Sequence, residues 1–309
     1  MIFLFLALLL IFSNPVFAYQ PERPVVLVHG IGFKGIRAWQ SASILQYLGI
    51  KDKGMANFLE ESGGYTLGKN LFIYEYDAMV PIEHIASELS LAIEEYMKLA
   101  HADNVDLVCF SMGGLVARTM LNGQTNPPVV NLITIATPHK GSYWVGVAES
   151  LKPQPEDWLF RTLGELRDRV GTDYYSLEIY RFIDSIYRFG EYPSIQQMAP
   201  DGDFVQKIES FYLSPKINVT CIAGYVLPAF DSAFIPESFV NLITDRFGPG
   251  DLVVPLHSAI WERANQIFVV KGRPDITWHS VLPYHPEVQA IVKHTLSRNY
   301  MFERLESFN

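Results

Sequence analysis

Residues 105–118, VDLVCFSMGGLVAR, contain an apolar, β-branched run that passes directly into a helix-forming segment at Ser111. A strand that continues straight into a helix needs a sharp turn, which holds the side chain at the turn beyond the carboxyl end of the strand. The two backbones come close together there, so small residues must follow, and Gly113 and Gly114 meet that need. The segment therefore predicts a strand–turn–helix unit that presents the Ser111 hydroxyl. A serine that only caps the following helix is the alternative.

Strand-like and helix-like segments alternate along most of the chain. The strand-like runs lie at residues 24–29, 71–76, 105–110, 129–136, 219–224 and 266–270, and the helical patterns at 82–97, 113–121 and 285–297. Strands that are apolar on both faces and are separated by helices are typical of a parallel sheet covered on both sides. The pattern predicts one α/β domain over residues 19–309, with a mostly parallel sheet and helices on both faces.

Residues 142–216 interrupt this alternation. They contain aromatic, helix-prone segments but no good strand, and a stretch this long inside a domain is usually functional or has structure of its own. We therefore predict a helical cap inserted over the edge of the sheet. Its aromatic residues are Tyr143, Trp144, Trp158, Phe160, Tyr174, Tyr175, Tyr180, Phe182, Tyr187 and Phe189. They either form the core of the cap or line a pocket for an apolar group.

The amino-terminal residues are the most apolar part of the chain. Residues 2–12 form an unbroken apolar run, Asn14 and Pro15 interrupt it, and small residues precede a cleavage position after Ala18. This pattern predicts a secretory signal over residues 1–18 and a mature protein that is secreted or periplasmic. An uncleaved membrane anchor is the alternative, although spanning a bilayer needs about 20 apolar residues.

The composition of the chain limits the classes of protein to which it can belong. The chain is 49% hydrophobic and 18% charged, which favours an ordered core over disorder. Its net charge is -9 and it has no run of lysine and arginine, so nothing indicates nucleic acid as a partner.

Cys109 and Cys221 fall in runs that we place on non-adjacent strands. We therefore expect two buried free thiols, although an exported chain permits a disulfide.

The segment VVLVHGIGFKG begins a glycine-rich loop directly after the first strand, at His29 and Gly30. Such a loop can direct backbone N–H groups into a pocket where a negatively charged oxygen develops. The expected donors are the backbone amides of Ile31 and of Met112, the residue after the serine. His29 is expected to shape the loop and not to act in catalysis.

A carboxylate that holds an imidazole in one tautomer is predicted at Asp251. It follows a Gly-Pro-Gly turn and precedes an apolar stretch in FGPGDLVVPLHSA. Asp245, six residues earlier, is the second candidate, and Asp231 is a weaker third. An aspartate that only caps the loop is the non-catalytic alternative.

The predicted general base is His279, in the loop between the last strand and the last helix. His285 directly precedes a proline at the start of that helix, where histidine more often caps or packs, and His294 is expected on the helix surface. Ser111, Asp251 and His279 then follow one another in the order Ser, Asp, His. Together they predict a triad that cleaves an acyl bond through a covalent acyl-enzyme.

Several motifs resemble those of the bacterial triacylglycerol lipases and related esterases of the α/β-hydrolase superfamily. They are HGIGFKG, SMGGLVAR, ATPHKGS at 136–142, SIQQMAPDGDF at 194–204, GDLVVPLHSA at 250–259, and His279 with the HPEV helix that follows it. The resemblance covers roughly residues 24–295. It implies the α/β-hydrolase fold and hydrolysis of carboxylic esters of lipid-like acyl groups, with transient contact with a membrane or lipid interface.

This chain departs from those lipases at two positions. Cys109 occupies the elbow position where glycine or alanine is usual. Many of these lipases also bind calcium through an acidic residue two positions after the catalytic histidine, and Val281 stands there in this chain. We therefore expect no metal and no cofactor. His139, within ATPHKGS, is expected to be structural because a lone histidine is a weak metal site.

The same triad serves more than one reaction, because a fold does not fix a substrate. The first alternative is a deacylase or thioesterase that acts on a lipid-modified protein or an inositol lipid. The second is a non-catalytic binding protein that retains the fold, although the presence of all three triad candidates argues against it.

Overall fold

One six-stranded parallel sheet forms the centre of the computed structural model, which describes residues 21, 23–31, 39–40, 53–143, 145, 192–227, 235 and 237–306. The strands are β1 (Val25–Val28), β2 (Leu71–Tyr74), β3 (Val105–Phe110), β4 (Val129–Ile135), β5 (Asn218–Val226) and β6 (Gln266–Gly272). Their order is β2-β1-β3-β4-β5-β6, and each neighbouring pair is parallel. This is the α/β-hydrolase arrangement with a mostly parallel sheet that the sequence predicts.

Helices connect the strands and follow the last one. They are α1 (Met55–Ser62), α2 (Ile82–Ala100), α3 (Met112–Leu121), α4 (Pro193–Gln196), α5 (Asp203–Glu209), α6 (Glu237–Phe247), α7 (Leu256–Ala259), α8 (Pro274–Thr277) and α9 (Pro286–Glu306), with a 3₁₀-helix at His279–Tyr284. The predicted helix over residues 82–97 continues to residue 100. The closing helix begins after His285, one residue later than the sequence pattern indicates, and is longer.

Both faces of the sheet are covered because alternate strand residues point to opposite sides. Val26 and Val28 pack with α2 and α3 in one buried cluster. Val25 and Leu27 pack with α1 and α9 in a second cluster on the other face. All four are fully buried, and each such side chain contributes about 1.5–3 kcal/mol relative to exposure.

The two cysteines lie where the sequence predicts. Cys109 is on β3 and Cys221 on β5, and β4 lies between these strands. Both thiols are buried and free. Burial raises the pKa of each thiol, so neither is a thiolate at neutral pH.

The described part of the predicted cap comprises residues 142, 143, 145 and 192–216. It contains α4 and α5, whose residues Ile195, Phe204 and Ile208 pack against the α2–α3 face of the core. Within these residues there is no strand, and the remainder of 142–216, including every aromatic residue named above except Tyr143, lies outside the described residues. The signal predicted for residues 1–18 also lies outside them. Among the helices that are described, none is both long and apolar enough to cross a bilayer.

The functional positions converge because all six strands run in the same direction. The carboxyl ends of parallel strands lie along one edge of the sheet, where ligands bind in open α/β folds. The loop at 29–31 follows β1, Ser111 follows β3, and the turn at 136–142 follows β4. Asp251 follows β5, and His279 follows β6. The fold therefore brings distant parts of the sequence to a single edge.

Candidate active site

Ser111 occupies the turn between β3 and α3 in a backbone conformation that few residues adopt. Its φ is 53° and its ψ is -128°, a strained region for a residue with a side chain. Its amide donates to Ile135 O at 2.8 Å, and its carbonyl accepts from Gly114 N at 3.1 Å. These bonds hold the strained turn between the neighbouring strand and the helix, and the side chain is mostly buried.

Three glycines provide the space that the turn needs. A Cβ on Gly30 would lie 2.6 Å from the Ser111 Cβ, and one on Gly113 would lie 2.5 Å from Val28 O. A Cβ on Gly114 would lie 2.1 Å from Thr137 Oγ1. Such contacts are closer than real Cβ atoms make, so side chains at these positions would displace the elbow or its neighbours. Cys109, at the unusual elbow position, is accommodated as a fully buried residue of β3.

Ser111, His279 and Asp251 form a continuous hydrogen-bonded chain. The Ser111 Oγ lies 2.9 Å from His279 Nε2, and His279 Nδ1 lies 2.7 Å from Asp251 Oδ2. The backbone N–H of His279 also donates to Asp251 O at 2.9 Å, so two bonds join these residues. With Nδ1–H donated to the carboxylate, Nε2 is left to accept the serine proton.

The carboxylate of Asp251 is fully buried, and both of its oxygens have polar partners. Its Oδ1 accepts the backbone N–H groups of Val253 at 3.0 Å and Val254 at 2.7 Å, while its Oδ2 faces His279. The two backbone N–H groups therefore hold Oδ1 in place. The geometry gives each of the two oxygens a separate partner set.

The loop after β1 places Gly30 and Ile31 beside the elbow. His29 Nδ1 lies 2.7 Å from Gly30 O, while its Nε2 accepts the Tyr76 backbone N–H at 3.4 Å. This pair of contacts assigns the ring proton to Nδ1, which donates to Gly30 O. Burial lowers the pKa of His29, which favours this neutral form.

Gly30 C=O and Ile31 N–H belong to one planar trans peptide group and therefore point in opposite directions. Fixing the carbonyl on His29 consequently fixes the direction of the Ile31 N–H. Met112 is the first residue of α3, and the first N–H groups of a helix have no acceptor within the helix. Ile31 and Met112 carry the two N–H groups that the sequence predicts as donors to an oxygen bound at Ser111.

Known hydrolases share this fold. A family model described as palmitoyl protein thioesterase matches residues 24–177, just under half of the chain. The mature form of the lipase BlEst2 from Bacillus licheniformis superposes with a TM-score of 0.61 at 18% identity, with 92% of this chain and 96% of that chain covered. The chain therefore has the α/β-hydrolase fold.

Two further solved structures have the same architecture as this chain. EstA from Clostridium botulinum has a TM-score of 0.53 at 16% identity, with coverage of 92% of this chain and 88% of that chain. The metagenomic carboxyl esterase MGS0156 has a TM-score of 0.54 at 11% identity, with coverage of 92% and 78%. The resemblance to bacterial lipases and esterases indicated by the motifs is therefore confirmed at the level of the fold.

The other described candidates from the sequence, Asp245, His285 and His294, do not join the hydrogen bonds between Ser111, His279 and Asp251. Asp245 is exposed on α6, and Asp231 lies outside the described residues. His285 Nδ1 accepts the backbone N–H of Glu287 at 3.2 Å at the start of α9, which is the capping role expected for it. His294 is exposed on α9, as predicted.

His139 is a buried residue with structural contacts. Its ring stacks on Trp261 at a centroid distance of 5.4 Å, and its Nδ1 accepts from Arg118 Nη1 at 3.1 Å. Burial first, and the Arg118 charge second, hold the pKa of His139 well below its usual value. Throughout the part of the chain that the structure describes, no three His, Cys, Asp or Glu side chains are grouped so that they could hold a metal ion.

Two residues at the site were not singled out from the sequence. Tyr76 stacks on His29, and the Ser142 hydroxyl donates to Val253 O at 2.7 Å in the loop that carries Asp251. Ser142 lies within ATPHKGS, so the motif was noticed without the role of its last residue. Tyr76 carried no signal beyond its position at the end of a strand-like run.

Proposed function

We propose that this protein, which has the α/β-hydrolase fold, cleaves carboxylic esters of lipid-like acyl groups by way of an acyl-enzyme. The observation that carries the proposal is the hydrogen-bonded chain from Ser111 through His279 to Asp251, with distances of 2.9 and 2.7 Å. A nucleophile that touches its base, which in turn touches an orienting carboxylate, is the arrangement that activates serine.

In acylation, Ser111 Oγ attacks the carbonyl carbon of the ester while His279 Nε2 takes the serine proton. The carbonyl oxygen becomes an oxyanion, and the Ile31 and Met112 N–H groups donate to it. Asp251 stabilises the imidazolium. When the tetrahedral intermediate collapses, the bond to the leaving oxygen breaks, and His279 gives its proton to that oxygen, which departs as an alcohol.

Deacylation repeats these steps with water. His279 Nε2 takes a proton from a water molecule as the water oxygen attacks the acyl carbon of the ester on Ser111. Collapse of the second intermediate breaks the bond to Ser111 Oγ, which recovers the proton from His279. The products are a free carboxylic acid and the regenerated enzyme.

Exposed apolar side chains support an apolar acyl group. Met79, in the loop after β2, is 51% exposed, and Tyr143, at the start of the predicted cap, is 37% exposed. Tyr143 also stacks on Phe247 of α6 at 5.6 Å. Both residues follow strands of the sheet at the edge where Ser111 also lies, and exposed apolar side chains at that edge suit an acyl chain and brief contact with a lipid interface.

Thioester hydrolysis is the second candidate, because the matching family model is that of palmitoyl protein thioesterase. The same residues would act, and the leaving group would be a thiol. A peptide carrying palmitate on a cysteine and the same peptide carrying it on a serine separate the two activities. Faster turnover of the oxygen ester supports the first proposal, and turnover of the thioester alone replaces it with the second.

The first experiment measures hydrolysis of p-nitrophenyl esters from acetate to palmitate by the wild-type chain and by Ser111→Ala. We expect turnover that depends on Ser111 and increases toward long chains. Turnover retained in Ser111→Ala would refute the nucleophile. Labelling with a fluorophosphonate separates an active hydrolase from a binding protein, because only an activated serine reacts.

Two proposals concern segments outside the described residues. Residues 1–18 form a secretory signal that leaves the mature protein outside the cytoplasm, with retention as a membrane anchor as the alternative. The rest of 142–216 completes a helical cap. Amino-terminal sequencing of protein exported by a bacterial host tests the first: a start at Tyr19 supports cleavage, and a start at Met1 in the membrane fraction supports the anchor.

A further inference from the structure

The peptide group between Val253 and Val254 joins Ser142 to the acid of the site. Its carbonyl oxygen, Val253 O, accepts the Ser142 hydroxyl proton at 2.7 Å. Its N–H, on Val254, donates to Asp251 Oδ1 at 2.7 Å. Because a trans peptide is planar, these two hydrogen bonds lie at opposite ends of one rigid unit. The position of the serine hydroxyl therefore determines the direction of the N–H.

Ser142 is itself held in place. Its side chain is buried, and its backbone N–H donates to Met198 O at 2.8 Å in the segment that follows α4. The preceding carbonyl, Gly141 O, accepts the Ser258 hydroxyl at 2.6 Å. The turn at 136–142 is thus attached both to the segment that follows α4 and to the chain after Asp251. A hydroxyl fixed in this way can act as a rigid support.

The bond from Ser142 to Val253 O also affects the orientation of the Asp251 carboxylate. Hydrogen bonds in a chain polarise one another, so donation to Val253 O strengthens donation by Val254 N–H. With Oδ1 held by Val253 N–H and Val254 N–H, Oδ2 remains directed at His279 Nδ1. Loss of the support would let the peptide rotate and the carboxylate turn with it.

We propose that Ser142 is a positioning residue for catalysis, whose hydroxyl acts through the 253–254 peptide to hold the Asp251 carboxylate against His279. This inference rests on the proposed function, which assigns Asp251 as the orienting acid. Ser142 does not touch the reacting atoms. Its effect reaches the reaction only through Asp251, and that property distinguishes it from a residue that merely stabilises the loop.

The test is a double-mutant cycle between Ser142→Ala and Asp251→Asn, measured as kcat and KM on a p-nitrophenyl ester. Asparagine retains an oxygen that accepts the two backbone N–H groups, but its NH₂ group cannot hold the productive tautomer. We expect Ser142→Ala to lower kcat about tenfold in the wild type, with little change in KM. In the Asp251→Asn background it should cause no further loss. A tenfold loss in both backgrounds would overturn the inference.

Ser258→Ala is the matched control. It also removes a buried hydroxyl that hydrogen-bonds the same turn, but that hydroxyl donates to Gly141 O and not to the 253–254 peptide. We expect Ser258→Ala to lower the melting temperature about as much as Ser142→Ala does. Any change that Ser258→Ala causes in kcat should be as large in the Asp251→Asn background as in the wild type. If Ser258→Ala couples to Asp251 as strongly as Ser142→Ala does, the effect belongs to the turn as a whole, and the assignment to Ser142 fails.

Two substitutions keep the test decisive if Ser142→Ala does not fold. Ser142→Cys retains the size of the side chain but donates weakly, and Ser142→Thr retains the hydroxyl. Low kcat in the cysteine variant and higher kcat in the threonine variant support the inference, whereas equal kcat values overturn it. Failure of the proposed function is distinguishable, because Asp251→Asn alone would then leave kcat unchanged.

Discussion

The rings of Tyr76 and His29 stack with their centroids 4.0 Å apart and their planes 10° from parallel. In the same pair the Tyr76 hydroxyl donates to His29 O, and the Tyr76 backbone N–H donates to His29 Nε2. Three contacts therefore hold His29, whose ring Nδ1 lies 2.7 Å from Gly30 O. The segment just after β2 thus supports the loop after β1.

Tyr76→Phe should lower kcat about five- to tenfold with little change in KM. The substitution keeps the ring stack but removes the hydroxyl that donates to the His29 carbonyl. The loop after β1, which carries the predicted oxyanion donor Ile31, is then held less firmly. Steady-state kinetics on a p-nitrophenyl ester measure the effect. Tyr74→Phe is the control, because the Tyr74 hydroxyl donates to Ile85 O on α2 and not to the loop. Equal kcat values for the two variants would remove Tyr76 from this role.

Gly30→Ala should abolish most activity. The added Cβ would lie 2.6 Å from the Ser111 Cβ and 3.2 Å from its Oγ, so the Ser111 side chain or the loop at Gly30 must shift. We expect kcat to fall by at least about a hundredfold, because an error of about 1 Å in a reacting group has that effect. Gly123→Ala controls for glycine replacement at a distance from the site. Gly123 has a φ of 76°, which is unfavourable for alanine, but no atom lies within 4 Å of the added carbon. It should lose stability and keep kcat.

Asp251→Asn and Asp245→Asn should differ strongly. Asp251 is fully buried and bonded to His279 Nδ1, so its replacement by an amide that favours the wrong tautomer should lower kcat by about 10⁴-fold. Asp245 is exposed on α6, and its replacement should leave kcat nearly unchanged. Kinetics of both variants decide between the two candidates: a large loss in Asp245→Asn alone would show that the acid is assigned wrongly.

The parts of the site that follow from local sequence could be predicted. The elbow needs a strand, a serine and small residues within one short segment, so Ser111 and its glycines are visible in the sequence. Asp251 and His279 lie 28 residues apart and are found by their chain order after the last strands. The strand alternation similarly predicts the sheet, because a helix between strands requires parallel pairing.

The supporting contacts could not be predicted in this way. Tyr76 meets His29 across 47 residues, and Ser142 meets Val253 across 111. Each contact depends on the register of neighbouring strands and on the path of a loop, and neither follows from the residue types. Serine and tyrosine at strand ends are common, so only the fold shows which of them reaches the site.

Stability should decrease as the pH falls below about 6.5, in part because of His139. Burial holds its pKa in the folded protein well below the value of 6.5 that applies to the unfolded chain. Above 6.5 both states are neutral; below it the unfolded chain binds a proton that the folded protein excludes, so unfolding is favoured. For one such histidine the slope approaches about 1.4 kcal/mol per pH unit.

Urea unfolding of the wild type and of His139→Gln at pH 7 and pH 5.5 measures this contribution. Glutamine can still accept from Arg118 but does not titrate, so the variant should lose less stability on acidification. His294→Gln, at an exposed position on α9, is the control and should retain the wild-type pH dependence. If His139→Gln also retains it, the acid sensitivity has another origin, of which buried His29 is the first to test.

Gln197→Ala should destabilise the protein by about 1 kcal/mol, the typical cost of losing a helix cap. The Gln197 side-chain oxygen accepts the backbone N–H of Ile82 at 2.8 Å, at the start of α2, where helix N–H groups lack internal partners. Its amide nitrogen also donates to Glu83. A residue of the predicted cap segment, 142–216, thus caps a helix that lies outside that segment.

Urea unfolding compares this variant with Gln206→Ala, whose exposed side chain donates only to the Asp201 carbonyl. We expect a smaller loss for Gln206→Ala. If the two losses are equal, the bond to Ile82 contributes no more than a surface bond. A larger loss for Gln197→Ala means that α2 and the return segment stabilise each other, which would couple the base of the predicted cap to the sheet domain.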